Sequence, residues 1–81
     1  MVPGAPPDDP ETLVHAHVIA AATLPAPGAG FEAWVKHHRK NRSMYLRVSE
    51  IDHANRAAAL YWARFEQGKA EILLDQLEGD G

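Results

Sequence analysis

The sequence predicts an all-α protein, a small three-helix bundle or a long helical hairpin behind a Pro-rich N-terminal arm. Three observations carry that expectation. Apolar residues recur three and four apart in three separate segments. Neither glycine nor proline occurs from Phe31 to Gln67. Only one short run alternates apolar and polar residues, and one strand cannot build a sheet. With 81 residues, and six prolines and six glycines falling mostly before residue 31, there is room for a single small core.

Residues 1–9 hold three prolines, a glycine and almost nothing to bury, so they read as an extended, disordered arm that orders only on a partner. Asp9, Pro10 and Glu11 form a helix start: a capping carboxylate, a proline at the first helical position and an acid near the positive dipole end. The helix that follows is expected over about 10–24, burying Leu13, Val14, Val18, Ala21 and Ala22. The run Pro25 to Gly30 (Pro-Ala-Pro-Gly-Ala-Gly) breaks it.

A second helix is expected from Phe31 to about Asn41, with Phe31, Trp34, Val35 and His38 on one side. The alternating run Met44 to Val48 has no second strand to pair with and reads as loop or helical turn. Ser49 and Asp52 then fit a capping box. The last helix is expected from about Glu50 to Leu77 or Glu78, roughly 42 Å long at 1.5 Å per residue. On a wheel, Ile51, Ala54, Ala58, Tyr61, Trp62, Phe65, Ile72 and Leu73 share its apolar face, with Lys69 in the middle of that face and a kink or break plausible at Gly68. Residues 10–81 are therefore read as a single helical domain.

The residue inventory argues against catalysis. Cysteine is absent, which removes disulfides, thiolate nucleophiles and cysteine zinc sites together. His15 and His17, two apart on a helix, point away from each other, and adjacent His37 and His38 diverge too, unlike the four-residue spacing of a helical zinc pair. Ser43 and Ser49 stand in no nucleophile turn, and Gly28 and Gly30 sit in a proline-rich linker with no phosphate-loop lysine after them. No enzyme, metal or cofactor is expected. The apolar run Leu13 to Leu24 is preceded by Asp8, Asp9 and Glu11 and is too short to span a bilayer, so the reading is a cytoplasmic protein without a membrane role.

Charge is distributed unevenly. Residues 1–35 carry four acids and no base, residues 36–47 five bases and no acid, and residues 48–81 seven acids against three bases. Lys36, Arg39, Lys40, Arg42 and Arg47, with Trp34 and Tyr45 at the margins, suit a phosphate backbone or an acidic protein partner. The acidic flanks favour instead a solvated helix face paired with acids of the last helix. Trp34, Tyr61, Trp62, Phe65 and Ile72 read as core or as an interface, where Trp and Tyr concentrate binding energy. A chain this small gains stability from association. The expected function is thus a small non-enzymatic helical accessory or adaptor, acting through protein–protein contacts or self-assembly. The alternative is a nucleic-acid-binding regulator that uses residues 36–47.

Overall fold

In the computed structural model, which describes residues 10–79, the chain folds as three α-helices: α1 (Leu13–Ala22), α2 (Phe31–Ile51) and α3 (Arg56–Gly79). A 3-10 turn over His53–Asn55 joins the last two, and no strand occurs among the described residues. α2 and α3 form an antiparallel hairpin, and α1 packs beside it, chiefly on α2. The expected arm at 1–9 and the Asp9 cap lie outside the described residues.

α1 starts later than the Asp9-Pro10 pair suggested. Thr12 Oγ1 accepts the His15 amide at 3.1 Å, and the carboxylate of Asp52, in the hairpin turn, accepts the Leu13 amide at 3.0 Å. Two of the free amides at the helix start are satisfied in this way. Asp52 also accepts from Asn55 Nδ2 at 2.9 Å. Together the Asn55 side chain and the Leu13 amide hold the Asp52 carboxyl below its ordinary range. One side chain thus fixes both the hairpin turn and the end of α1.

The face that α1 buries differs from expectation. Leu13, Ala16 and Ile19 are buried, whereas Val14 is 71% exposed, Val18 59% exposed, and Ala21 and Ala22 face solvent. α1 is apolar on nearly every side, so its periodicity could not orient it, and the neighbouring helices did. After α1 the chain reverses through residues 25–30, where Gly28 takes φ +86°, a conformation that glycine adopts without strain.

α2 runs unbroken through Met44 to Val48, the segment expected to be loop or helical turn. Met44, Tyr45 and Val48 point inward with Asn41, a spacing of three and four that the alternation had masked. Ser49 does not cap a helix. It sits inside α2, where its Oγ donates to the Leu46 carbonyl at 2.6 Å, and α3 begins at Arg56 rather than near Glu50. α3 then continues through Gly68 without interruption.

The inner face of α3 is also rotated from expectation. Ala59, Ala63, Glu66 and Ala70 are buried, four, three and four apart, and lie against the bulky side of α2. Small residues on one helix admit large ones from the other, so Tyr45, Met44 and Val48 fill the space over Ala59 and Ala63 and reach Leu13, Ala16 and Ile19 of α1. Tyr61, Phe65 and Ile72 are left at the surface, with Trp62 at the margin of the core.

Candidate interaction surface

A buried polar network fixes the register of the hairpin. Glu66, only 7% exposed, accepts from His38 Nδ1 at 2.7 Å and from Asn41 Nδ2 at 3.3 Å. Asn41 Nδ2 also donates to His37 Nε2 at 3.2 Å, and at the next position of each helix Arg42 Nε donates to Gln67 Oε1 at 3.0 Å. Every buried polar side-chain atom among the described residues has a partner. Toward α1 the Tyr45 hydroxyl and His17 Nδ1 are hydrogen-bonded at 2.8 Å.

His37 accepts its hydrogen bond on Nε2, which requires that nitrogen to be unprotonated. Its pKa is lowered, first by burial and then by the neighbouring His38, with Glu66 and a hydrogen bond to the Thr23 backbone acting in the opposite direction and Lys40 adding to the depression. The unfolded chain takes up this proton near pH 6.5, and the folded chain only at lower pH. Protons therefore favour unfolding: the contribution of His37 is complete above about pH 6.5 and is lost as pH falls through the folded value. The melting temperature should drop between about pH 7.5 and pH 5, and His37→Gln, which keeps an acceptor for Asn41, should flatten part of that drop. An identical pH profile in the variant would exclude His37 as its source.

Outside the core lies a row of exposed apolar side chains. Tyr61 (62% exposed), Phe65 (41%) and Ile72 (57%) fall with Gly68 within about 60° of one another around α3. Apart from its chain neighbours and the helix's own backbone, nothing lies within 4 Å of where a Cβ on Gly68 would stand, so the row has an open notch at its middle. At one end its rings continue into Trp62, 5.3 Å from Tyr61 and 5.4 Å from Phe65 between centroids, and Trp62 in turn meets His17 at 5.0 Å. At the other end the row opens into a cleft of about 480 Å³ lined by Phe31, Trp34, His38, Lys69, Ile72 and Leu73. Lys69 Nζ lies 5.2 Å from the Phe65 ring centroid, so its aliphatic stem covers part of the apolar face that its charge interrupts in the sequence. Trp34, Tyr61, Trp62, Phe65 and Ile72 thus border one side of the molecule.

The five cations of residues 36–47 do not share one face of α2. Lys36, Lys40 and Arg47 fall with Ser43 on one line along α2, about 16 Å from end to end, and Arg39 is turned about 60° from them. Arg42 is turned toward α3 and bonded to Gln67. Lys36, Arg39 and Lys40 are exposed and form no ion pair with acids of α3 among the described residues. Glu32 and Glu50 lie close to the two ends of the line.

No group of three or more potential metal-ligating side chains converges among the described residues, and no described helix is long and apolar enough to cross a membrane. The sequence leaves Tyr61, Phe65 and Ile72 open between core and interface, and it does not predict the polar register of Asn41 and Glu66. The spacing of Ala59, Ala63, Glu66 and Ala70 was the signal that could have located both. No protein-family model matches this chain, and comparison with curated proteins and with solved structures likewise gives no match.

Proposed function

We propose that this chain is a small non-enzymatic helical adaptor whose working surface is the exposed aromatic and aliphatic row of α3. The observation that carries the reading is the exposure of Tyr61, Phe65 and Ile72 on one side of a helix whose other side already packs in the hairpin. Large apolar side chains grouped on a surface mark interaction sites more often than scattered ones do, and Tyr and Trp are the residues that most often dominate binding energy. Work in the cytoplasm is part of this proposal, resting on the acids Asp8, Asp9 and Glu11 before the apolar run.

A photo-crosslinking residue in place of Phe65 tests it, in an extract of the source cells with and without nuclease. The expected result is crosslinking to protein that survives nuclease and is lost in Tyr61→Glu/Ile72→Glu. That double variant should keep its helical content, because substitutions at exposed positions shift stability by only about 0.5 kcal/mol. Crosslinks no stronger than those from a probe at Glu50 would defeat the reading.

A second reading has an observation of its own: Lys36, Lys40 and Arg47 share a line on α2, a geometry suited to a phosphate backbone. With Arg42 bonded to Gln67 and acids near both ends of the line, it offers fewer contacts than the sequence suggested. Capture abolished by nuclease would favour it.

A further inference from the structure

We infer that the exposed row of α3 pairs with the same row of a second copy of this chain, the two α3 helices running antiparallel. The inference rests on the docking reading above and names its occupant.

Ala58, Tyr61, Phe65, Gly68 and Ile72 alternate three and four apart, the spacing of a coiled-coil seam, and this seam lies on a different side of α3 from the Ala59, Ala63, Glu66 and Ala70 face used within the hairpin. An antiparallel pair centred between Glu66 and Gln67 aligns every large member of the seam. Tyr61 of one copy then lies opposite Ile72 of the other, and Phe65 opposite Gly68. The Phe65 ring enters the notch over Gly68, where, apart from the chain neighbours and the helix's own backbone, nothing stands within 4 Å of a Cβ position. Both contacts occur twice by symmetry.

Charge selects this orientation. The residues that flank such a seam decide partner and direction. Here Arg64 and Glu71 precede Phe65 and Ile72, and both are exposed. In the antiparallel pair, Arg64 of each copy faces Glu71 of the other, giving two attractive contacts. On the opposite flank Trp62 of each copy faces Lys69 of the other, a cation beside an indole. A parallel pair instead brings Arg64 of one copy to Lys69 of the other, a repulsion repeated twice, and sets Asp75 against Asp75 in the seam. The second copy is thus complementary in shape and in charge in one direction only.

Sedimentation of the full chain across the micromolar range tests the pairing. The expected result is a monomer–dimer equilibrium. Arg64→Glu and Glu71→Arg should each weaken it by about tenfold or more, since each turns two attractions into repulsions. The Arg64→Glu/Glu71→Arg double variant should regain the dimer, and an equimolar mixture of the two single variants should form a heterodimer. A parallel pair predicts neither recovery. Because the chain lacks cysteine, Tyr61→Cys mixed with Ile72→Cys provides a second measurement at other positions. Under mild oxidation a disulfide should link the two different chains in preference to either chain with itself. A chain that stays monomeric throughout the range overturns the inference, as does a dimer indifferent to both charge reversals or a cysteine mixture without preferential linkage. A monomeric result leaves the docking reading to the Phe65 crosslinking experiment, so the two can fail separately.

Discussion

Tyr45→Ala is expected to unfold the chain. Tyr45 is 2% exposed, its ring lies 6.3 Å from that of Trp62 and 5.4 Å from that of His17, and it belongs to the cluster in which all three helices meet. Truncating a large buried aromatic costs about 3 to 5 kcal/mol. A single core of this size rarely supplies more than about 3 to 5 kcal/mol of net stability. The loss therefore matches the whole, and far-ultraviolet circular dichroism at room temperature should show most of the helical signal gone. Tyr45→Phe separates ring from hydroxyl: it keeps the packing, gives up the bond to His17 and should cost about 0.5 to 1.5 kcal/mol. Burial, with Glu66 adding to it, pushes the Tyr45 hydroxyl up to about 12. The unfolded phenol ionises near pH 10, so stability should decline as pH rises from about 10 toward 12, and Tyr45→Phe should remove that part of the decline. Native-like melting of Tyr45→Ala would mean that α1 does not close over the hairpin here.

Glu66→Ala is expected to cost nearly as much by a different route. The substitution removes the acceptor from both His38 and Asn41 and leaves Asn41 buried with only His37 to bond. Leaving a buried donor without its acceptor costs about 1 to 3 kcal/mol, more where it is charged, and two groups lose theirs here. Glu66→Gln retains an acceptor of the same shape and should lose much less. Replacing His38, Asn41 and Glu66 together by Leu, Leu and Met removes these three stranded groups, leaves only His37 Nε2 without its Asn41 donor, and should restore part of the stability lost. Urea midpoints across the three variants check this order. If Glu66→Ala were as stable as Glu66→Gln, the hydrogen bonds to His38 and Asn41 would carry no net weight.

How legible this architecture was depended on which residues carried the signal. The helical class and the break at Pro25 to Gly30 followed from apolar spacing and from glycine and proline placement, which act locally and need no partner. The inner face of α3 did not follow, because hydrophobic periodicity favours Tyr61, Trp62, Phe65 and Ile72 over alanine and counts Glu66 as a solvent residue. Packing reversed that ranking. A close hairpin needs small side chains where α2 is bulky, and Glu66 is at home in the interior only because His38 and Asn41 stand across from it on α2. The joint between α2 and α3 was misplaced for a similar reason. Ser49 and Asp52 match a capping pattern, yet Asp52 and Asn55 bond each other, and that local pair places the turn. The candidate surface was visible as a row of apolar residues, but its exposure depended on which side of α3 the neighbours took.

The turn at Asp52 also separates short loop closures from a long one. Contacts between α2 and α3 grow outward from a three-residue 3-10 segment, so each new pair closes only a small additional loop, a topology that favours fast folding. The anchor of α1 joins residues 39 apart, from the Leu13 amide to the Asp52 carboxylate, and closes a far longer loop than the turn does, at a larger entropic cost. On the ribosome α1 emerges first, apolar on nearly every side, and its docking surface is complete only when Tyr45, Val48 and Asp52 have followed it out and α3 has brought Ala59 and Ala63 back against them.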